Sequence, residues 1–154
     1  MSTPSDLRGA APVGTLDALP PAEAAAVRWL RLWCEGPDGW AAMQAEMQAM
    51  LGVPRAAALA GAFDLTCRLT LEFRRRPLMR HAAACPCLGA DEATFAHFLT
   101  LAGLGERDEA MLVAILLVRA DMAPLLVDTA ARAGLEIHRA VLVAADSRLQ
   151  GRVH

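Results

Sequence analysis

Residues 109–119 read EAMLVAILLVR, nine apolar residues in a row between Glu109 and Arg119. A helix that is apolar all round has to be surrounded by other elements of the protein. The run is far shorter than the roughly 20 residues that cross a bilayer, so it does not indicate a membrane span. We therefore expect these residues to form the central helix of a packed α-helical core.

Outside this helix, apolar residues at helical spacing predict five more helices. We expect Pro77 to stop the third of them, the segment Gly103 to Gly105 to end the fourth, and Gly134 to end the last. Residues 135–143 fit either an edge strand or a short helix. The predicted fold class is all-α, a compact single domain of about six helices with orthogonal or bundle-like packing. The five flanking helices are expected near residues 22–35, 40–51, 54–76, 89–103 and 121–134.

The length of 154 residues is enough for one domain with a core and too short for two of ordinary size. Residues 1–21 are rich in proline and glycine and have few large apolar groups, so they predict a flexible arm. The helical domain is expected over residues 22–145. Residues 146–154 are expected to be a frayed tail.

Composition restricts the class of function. All 15 basic residues are arginine, which indicates a GC-rich bacterial coding bias, and the net charge is -2. That charge argues against nucleic-acid binding, which usually needs a basic surface. The first residues do not resemble a secretory signal, so we expect a cytoplasmic protein without a membrane partner. Phosphate-binding, nucleophile-elbow and HExxH motifs are absent from the sequence, which favours a protein that is not an enzyme.

The segment RHAAACPC, residues 80–87, is the one place where residues able to do chemistry cluster. If residues 78–84 form a helical turn, His81 and Cys85 share a face, and Pro86 turns Cys87 toward them. Imidazole and thiolate are zinc ligands, and the candidate fourth ligand is Cys67, with Cys34, His97 or the acidic pair Asp91 and Glu92 as alternatives. The sequence therefore predicts a small structural zinc site here. The alternative is an ordinary turn in which the two cysteines pack as small residues.

The same segment has a second chemical interpretation. A thiol next to Arg80 and His81 could have a lowered pKa and act as a redox-sensitive group. Under this interpretation the chain is a metal- or thiol-dependent enzyme or a redox sensor that uses His81, Cys85 and Cys87.

Large apolar side chains on the first two helices suggest a contact surface. Trp29, Trp33 and Met43 belong to residue types that are common at protein interfaces. We expect them to contact a protein partner or a second copy of the chain, although such stripes also form cores. The function that we favour from the sequence is a non-enzymatic cytoplasmic regulatory or adaptor protein that acts through protein contacts.

Overall fold

The computed structural model describes residues 7–153, and these residues form one domain that is mainly helical. Six α-helices lie within this range, so the predicted all-α class is confirmed. A two-stranded antiparallel pair and three short 3₁₀ turns complete the described part of the chain. The elements are β1 (Pro12–Thr15), α1 (Pro21–Cys34), α2 (Pro37–Leu51), α3 (Val53–Glu72), β2 (Cys87–Gly89), α4 (Ala90–Leu104), α5 (Arg107–Leu117) and α6 (Ala123–Gly151).

Proline and glycine set the boundaries of the first three helices. Each has a proline in its first turn, where the missing N–H has no intrahelical acceptor to lose. Gly36 and Gly52 precede α2 and α3 with φ of 87° and 77°, a region that favours glycine. Helix α3 ends at Glu72, which is earlier than the boundary predicted from Pro77.

Helices α4 and α6 cross at the centre of the domain, and two glycines allow their close approach. A Cβ atom on Gly134 would lie 2.2 Å from the carbonyl oxygen of Leu99, and one on Gly103 would lie 2.4 Å from the carbonyl carbon of Gly134. The prediction that the segment 103–105 ends a helix is confirmed, because α4 ends at Leu104. The prediction that Gly134 ends a helix was wrong, because Gly134 lies inside α6. Helix α6 also continues through residues 135–151, where the sequence left strand or helix open and predicted a frayed end.

Helix α5 lies at the periphery and not at the centre. Ala110, Ala114 and Leu117 face the core, but Leu112 and Leu116 are 66% and 60% exposed. The expectation of burial on all sides failed because α4 and α6 cover only one side of this short helix. The domain therefore presents two large apolar side chains of α5 to solvent.

Residues 8–18 form two 3₁₀ turns and the strand β1, whereas the sequence predicted a flexible arm over residues 1–21. Strand β1 pairs with β2, with Thr15 opposite Cys87 and Pro12 opposite Gly89. This pairing supplies the backbone hydrogen bonds that a short apolar-poor segment cannot obtain by itself. The part of the predicted arm before Leu7 lies outside the described residues, as does His154 in the predicted tail. Within residues 7–153, no helix combines the length and the apolar character that crossing a membrane requires.

Candidate functional site

Residues 73–89, here called the cysteine loop, connect α3 to the start of α4. The helical turn predicted over residues 78–84 is not present, because the backbone there is irregular. The loop obtains its conformation from side chains outside it. These are Arg31 on α1 and two carboxylates, Asp91 and Glu92, in the first turn of α4.

Arg31 and Glu92 form a buried ion pair between α1 and α4. Both side chains are inaccessible to solvent. The guanidinium donates through Nε to Oε1 of Glu92 at 2.7 Å and through Nη2 to Oε2 at 2.9 Å, a bidentate arrangement. The carboxylate also accepts the backbone N–H groups of His81 and Gly89, both at 2.9 Å. The carboxylate of Glu92 therefore joins α4 to α1 and to the backbone of the cysteine loop at His81 and Gly89.

The remaining N–H groups of Arg31 bind the backbone of the cysteine loop. Nη1 donates to the carbonyl oxygen of Cys85 at 2.6 Å, and Nη2 donates to that of Cys87 at 2.5 Å. A longer bond of 3.3 Å joins Nη1 to the carbonyl oxygen of Ala82. A buried charge is tolerated when it is paired and its hydrogen bonds are satisfied. The loop carbonyls and Glu92 together meet that condition for Arg31.

The ion pair shifts the pKa values of both partners. Burial by itself would raise the pKa of Glu92, but hydrogen bonds from Arg31, Gly89 and His81 outweigh burial and lower that pKa. The hydrogen bond to Glu92 raises the pKa of Arg31 despite the opposing effect of burial. Both groups are consequently ionised at neutral pH.

A second carboxylate anchors the start of the loop. Asp91 accepts two hydrogen bonds from Arg76, at 2.6 and 3.0 Å, and one from the backbone N–H of Met79 at 2.8 Å. Gly9 packs directly against this carboxylate, since a Cβ there would lie 2.0 Å from Oδ2 of Asp91. Asp91 thus connects the cysteine loop to the N-terminal segment.

The predicted zinc ligands do not converge. The His81 ring places Nε2 3.0 Å from the carbonyl oxygen of Ala10, which ties the ring to the N-terminal segment. Cys67 is fully buried on α3, where burial and the neighbouring Cys34 thiol raise its pKa. Over the described range 7–153, no group of three or more histidine, cysteine, aspartate or glutamate side chains could hold a metal ion.

Two of the predicted residues do lie together. The thiols of Cys85 and Cys87 contact each other, and their hydrogen bond is the main cause of a raised pKa at Cys87. All four cysteines are free, and these two are half-buried, in contrast to Cys67. The pair is therefore accessible to small reagents.

The predicted contact surface on α1 and α2 belongs mostly to the core. Trp29 and Met43 are completely buried, and Trp29 stacks edge-on against Phe63. Trp33 is half-buried, and its indole N–H donates to Asp64 at 2.9 Å. The apolar face of α1 and α2 is wide because other parts of the same chain cover these helices on more than one side. Of Trp29, Trp33 and Met43, only Trp33 remains at the surface.

An open cleft of about 560 Å³ lies beside the cysteine loop, between the N-terminal segment and α5. Its polar wall contains Arg8, Arg75 and Arg76, and its apolar wall contains Leu116 and Leu117. Arg76 is paired with Asp91, whereas Arg8 and Arg75 form no ion pair with any carboxylate of residues 7–153. Arg75 donates instead to the carbonyl oxygen of Ile115 at 2.9 Å. The cleft is therefore both basic and apolar.

The amino-acid sequence gives no local signal for the ion pair of Arg31 and Glu92 or for the basic cleft. Arg31 falls on a polar stripe of α1 with Arg28 and Glu35, which is typical of a solvated face, and no local pattern distinguishes it. The sequence suggested the adjacent acids Asp91 and Glu92 as charges at the start of α4 and as alternative metal ligands, and it did not indicate their contacts with the cysteine loop. The contacts of Glu92 with His81 and Arg31 join residues 11 and 61 positions apart, which local patterns do not report. Comparisons of the chain with protein-family models, with curated proteins and with solved structures gave no match.

Proposed function

We propose that this chain is a non-enzymatic adaptor or regulatory protein that binds an acidic amphipathic segment of another protein. The observation that carries the proposal is the exposure of Leu112 and Leu116 on α5, at 66% and 60%. These residues are one turn apart and therefore project from the same face of the helix. Contiguous exposed apolar side chains with a polar rim are typical of protein-binding surfaces.

The charge next to these leucines specifies the partner. Arg8 and Arg75 line the adjoining cleft without a carboxylate partner among residues 7–153, so they can pair with acidic side chains of a ligand. An amphipathic helix that alternates leucine-like anchors with aspartate or glutamate would place its apolar face on α5 and its acids at the cleft. The opposite sign of charge on the two surfaces would also raise the association rate.

Site-specific photo-crosslinking tests this proposal. A photoreactive residue at position 112 is compared with one at Leu65, which is 50% exposed on α3 and away from the cleft. We expect position 112 to capture a defined segment that is acidic and amphipathic, and Arg75→Glu to abolish the capture. Equal capture at both positions, or a captured segment without acidic residues, would contradict the proposal.

The contact between the Cys85 and Cys87 thiols favours a second candidate function, a thiol-based redox sensor. With glutathione disulfide as oxidant, the two thiols lose two hydrogen atoms and form an intramolecular disulfide, while the oxidant becomes two molecules of glutathione. Because Arg31 binds both cysteine carbonyls, this disulfide would act on the buried ion pair. Intact-mass and peptide analysis after oxidation should locate the disulfide at residues 85 and 87, and Cys85→Ser should prevent it. Retention of both thiols in the oxidised sample would reject the sensor.

A further inference from the structure

Helix α6 carries a row of exposed leucines that no other part of the described chain covers. Leu135, Leu142 and Leu149, here called the α6 stripe, are 41%, 65% and 64% exposed. A spacing of seven residues returns to nearly the same side of a helix, so the three side chains form one line. The buried residues of α6, among them Ile137 and Ala140, lie on the other side of the helix and face α4.

We propose that a second copy of this chain covers the α6 stripe, with the two α6 helices antiparallel and Leu142 at the two-fold axis. In this arrangement Leu135 of each copy packs against Leu149 of the other, because both are seven residues from Leu142. The pairing is self-complementary, as an interface with two-fold symmetry requires. It does not depend on the function proposed for α5 and the basic cleft.

Charge on one flank of the stripe selects this orientation. Arg139 and Asp146 are both exposed and lie on the same side of the line of leucines, three residues before and four residues after Leu142. In the antiparallel pair, Arg139 of one copy therefore lies next to Asp146 of the other, and this occurs twice. A parallel pair in the same register would place this flank against the opposite flank of the partner helix, so Arg139 would lie next to His138 of the other copy and would not meet Asp146. Arg139 also bonds Glu136 within its own helix, which holds its side chain along the surface.

Small residues on the other flank allow the helices to approach. Ala131 and Ala145 alternate there with His138 and Arg152. In the antiparallel pair, His138 of one copy faces Ala145 of the other, so a large side chain meets a small one. The stripe spans 15 residues, or about 21 Å of helix from its first Cα to its last. A contact of that length is near the lower end of specific interfaces, so we expect a dimer that dissociates on dilution.

Analytical ultracentrifugation of the full chain over a range from about 1 μM to about 300 μM tests the association. We expect a shift from monomer to dimer with rising concentration. Leu142→Asp should keep the chain monomeric throughout, because it places two carboxylates at the two-fold axis. Leu112→Asp is the matched control: Leu112 is 66% exposed on α5, and its substitution should leave the dimer unchanged. Circular dichroism verifies that both variants are folded.

Further variants test the contact at Leu142 and the orientation of the two helices. Leu142→Cys should form an intermolecular disulfide under mild oxidation, whereas the wild type and Leu112→Cys should not. Arg139→Glu should weaken the dimer by creating like-charge contacts with Asp146, and the double variant Arg139→Glu/Asp146→Arg should restore it. A wild type that is monomeric at every concentration would overturn the proposal. Loss of the dimer in Leu112→Asp, or failure of the charge exchange to restore association, would overturn the antiparallel interface on α6.

Discussion

Replacing Arg31 by methionine tests the conclusion that a single buried ion pair holds the cysteine loop in place. The substitution keeps most of the apolar volume but removes two hydrogen bonds to Glu92 and those to the carbonyls of Cys85 and Cys87. Glu92 then remains in a solvent-inaccessible position with only two backbone N–H donors. Breaking a buried pair by removing one partner costs about 3–5 kcal/mol.

For a domain of this size, that loss lowers the thermal midpoint by about 6 to 20 °C, at roughly 2–4 °C for each kcal/mol. Calorimetry or thermal circular dichroism at pH 7 measures the shift. Arg28→Met is the matched control, since Arg28 lies on the same helix and pairs with Glu46 with side chains 41% and 33% exposed. That exposed pair contributes about 0–1 kcal/mol.

A double variant separates loss of the pair from loss of packing. Adding Glu92→Gln to Arg31→Met replaces an unpaired buried charge with a neutral amide, so the double variant should be more stable than Arg31→Met alone. The reasoning would be refuted if Arg31→Met shifted the midpoint no more than Arg28→Met, or if Glu92→Gln destabilised the Arg31→Met chain further.

Four other outcomes are expected. The pKa of Glu92 is lower in the folded than in the unfolded protein, so the ionised carboxylate stabilises the fold fully above the unfolded pKa of about 4.3. This stabilisation is lost as the pH falls through the folded pKa. Urea titrations at a series of acidic pH values should therefore show a smaller loss of stability for Glu92→Gln than for the wild type. Gly134→Ala should cost about 1–3 kcal/mol in chemical denaturation, whereas Gly61→Ala, where a Cβ meets nothing, should stabilise by about 0.4–1 kcal/mol. Cys67, whose pKa burial raises, should react with a thiol reagent only after unfolding. Leu116→Asp should change stability by about 0.5 kcal/mol or less, because that side chain is exposed.

The sequence predicted the elements of this fold better than their arrangement. Apolar periodicity, prolines and glycines placed six helices, and all boundaries except the end of α6 lie within about four residues of the observed ones, because these signals act within a few residues. The same signals could not decide which helix is central. The alanine-rich helices α4 and α6 occupy the centre because Gly103 and Gly134 let their backbones meet. No local sequence pattern shows that two glycines 31 positions apart lie in contact.

The sequence identified the loop of the candidate site but not the residues that hold the loop in place. The cluster of His81, Cys85 and Cys87 drew attention to the correct loop, since those residue types are chemically distinctive. The groups that organise the loop are Arg31 and Glu92, which in sequence resemble ordinary residues of solvated helix faces. Whether such a charge is buried depends on the partner that another helix brings to it, and that partner is defined only by the tertiary structure.

The pairing of β1 with β2 has a consequence for synthesis of the chain on the ribosome. Strand β1 has no partner until Cys87, which follows Thr15 by 72 residues, has been synthesised. At about 5–20 residues per second, β1 is unpaired for about 4 to 14 s after it is made. An unpaired strand edge can recruit another nascent chain. Strand β1 is protected during this interval, because it has only four residues and begins with Pro12, which lacks the N–H that a pairing strand would accept.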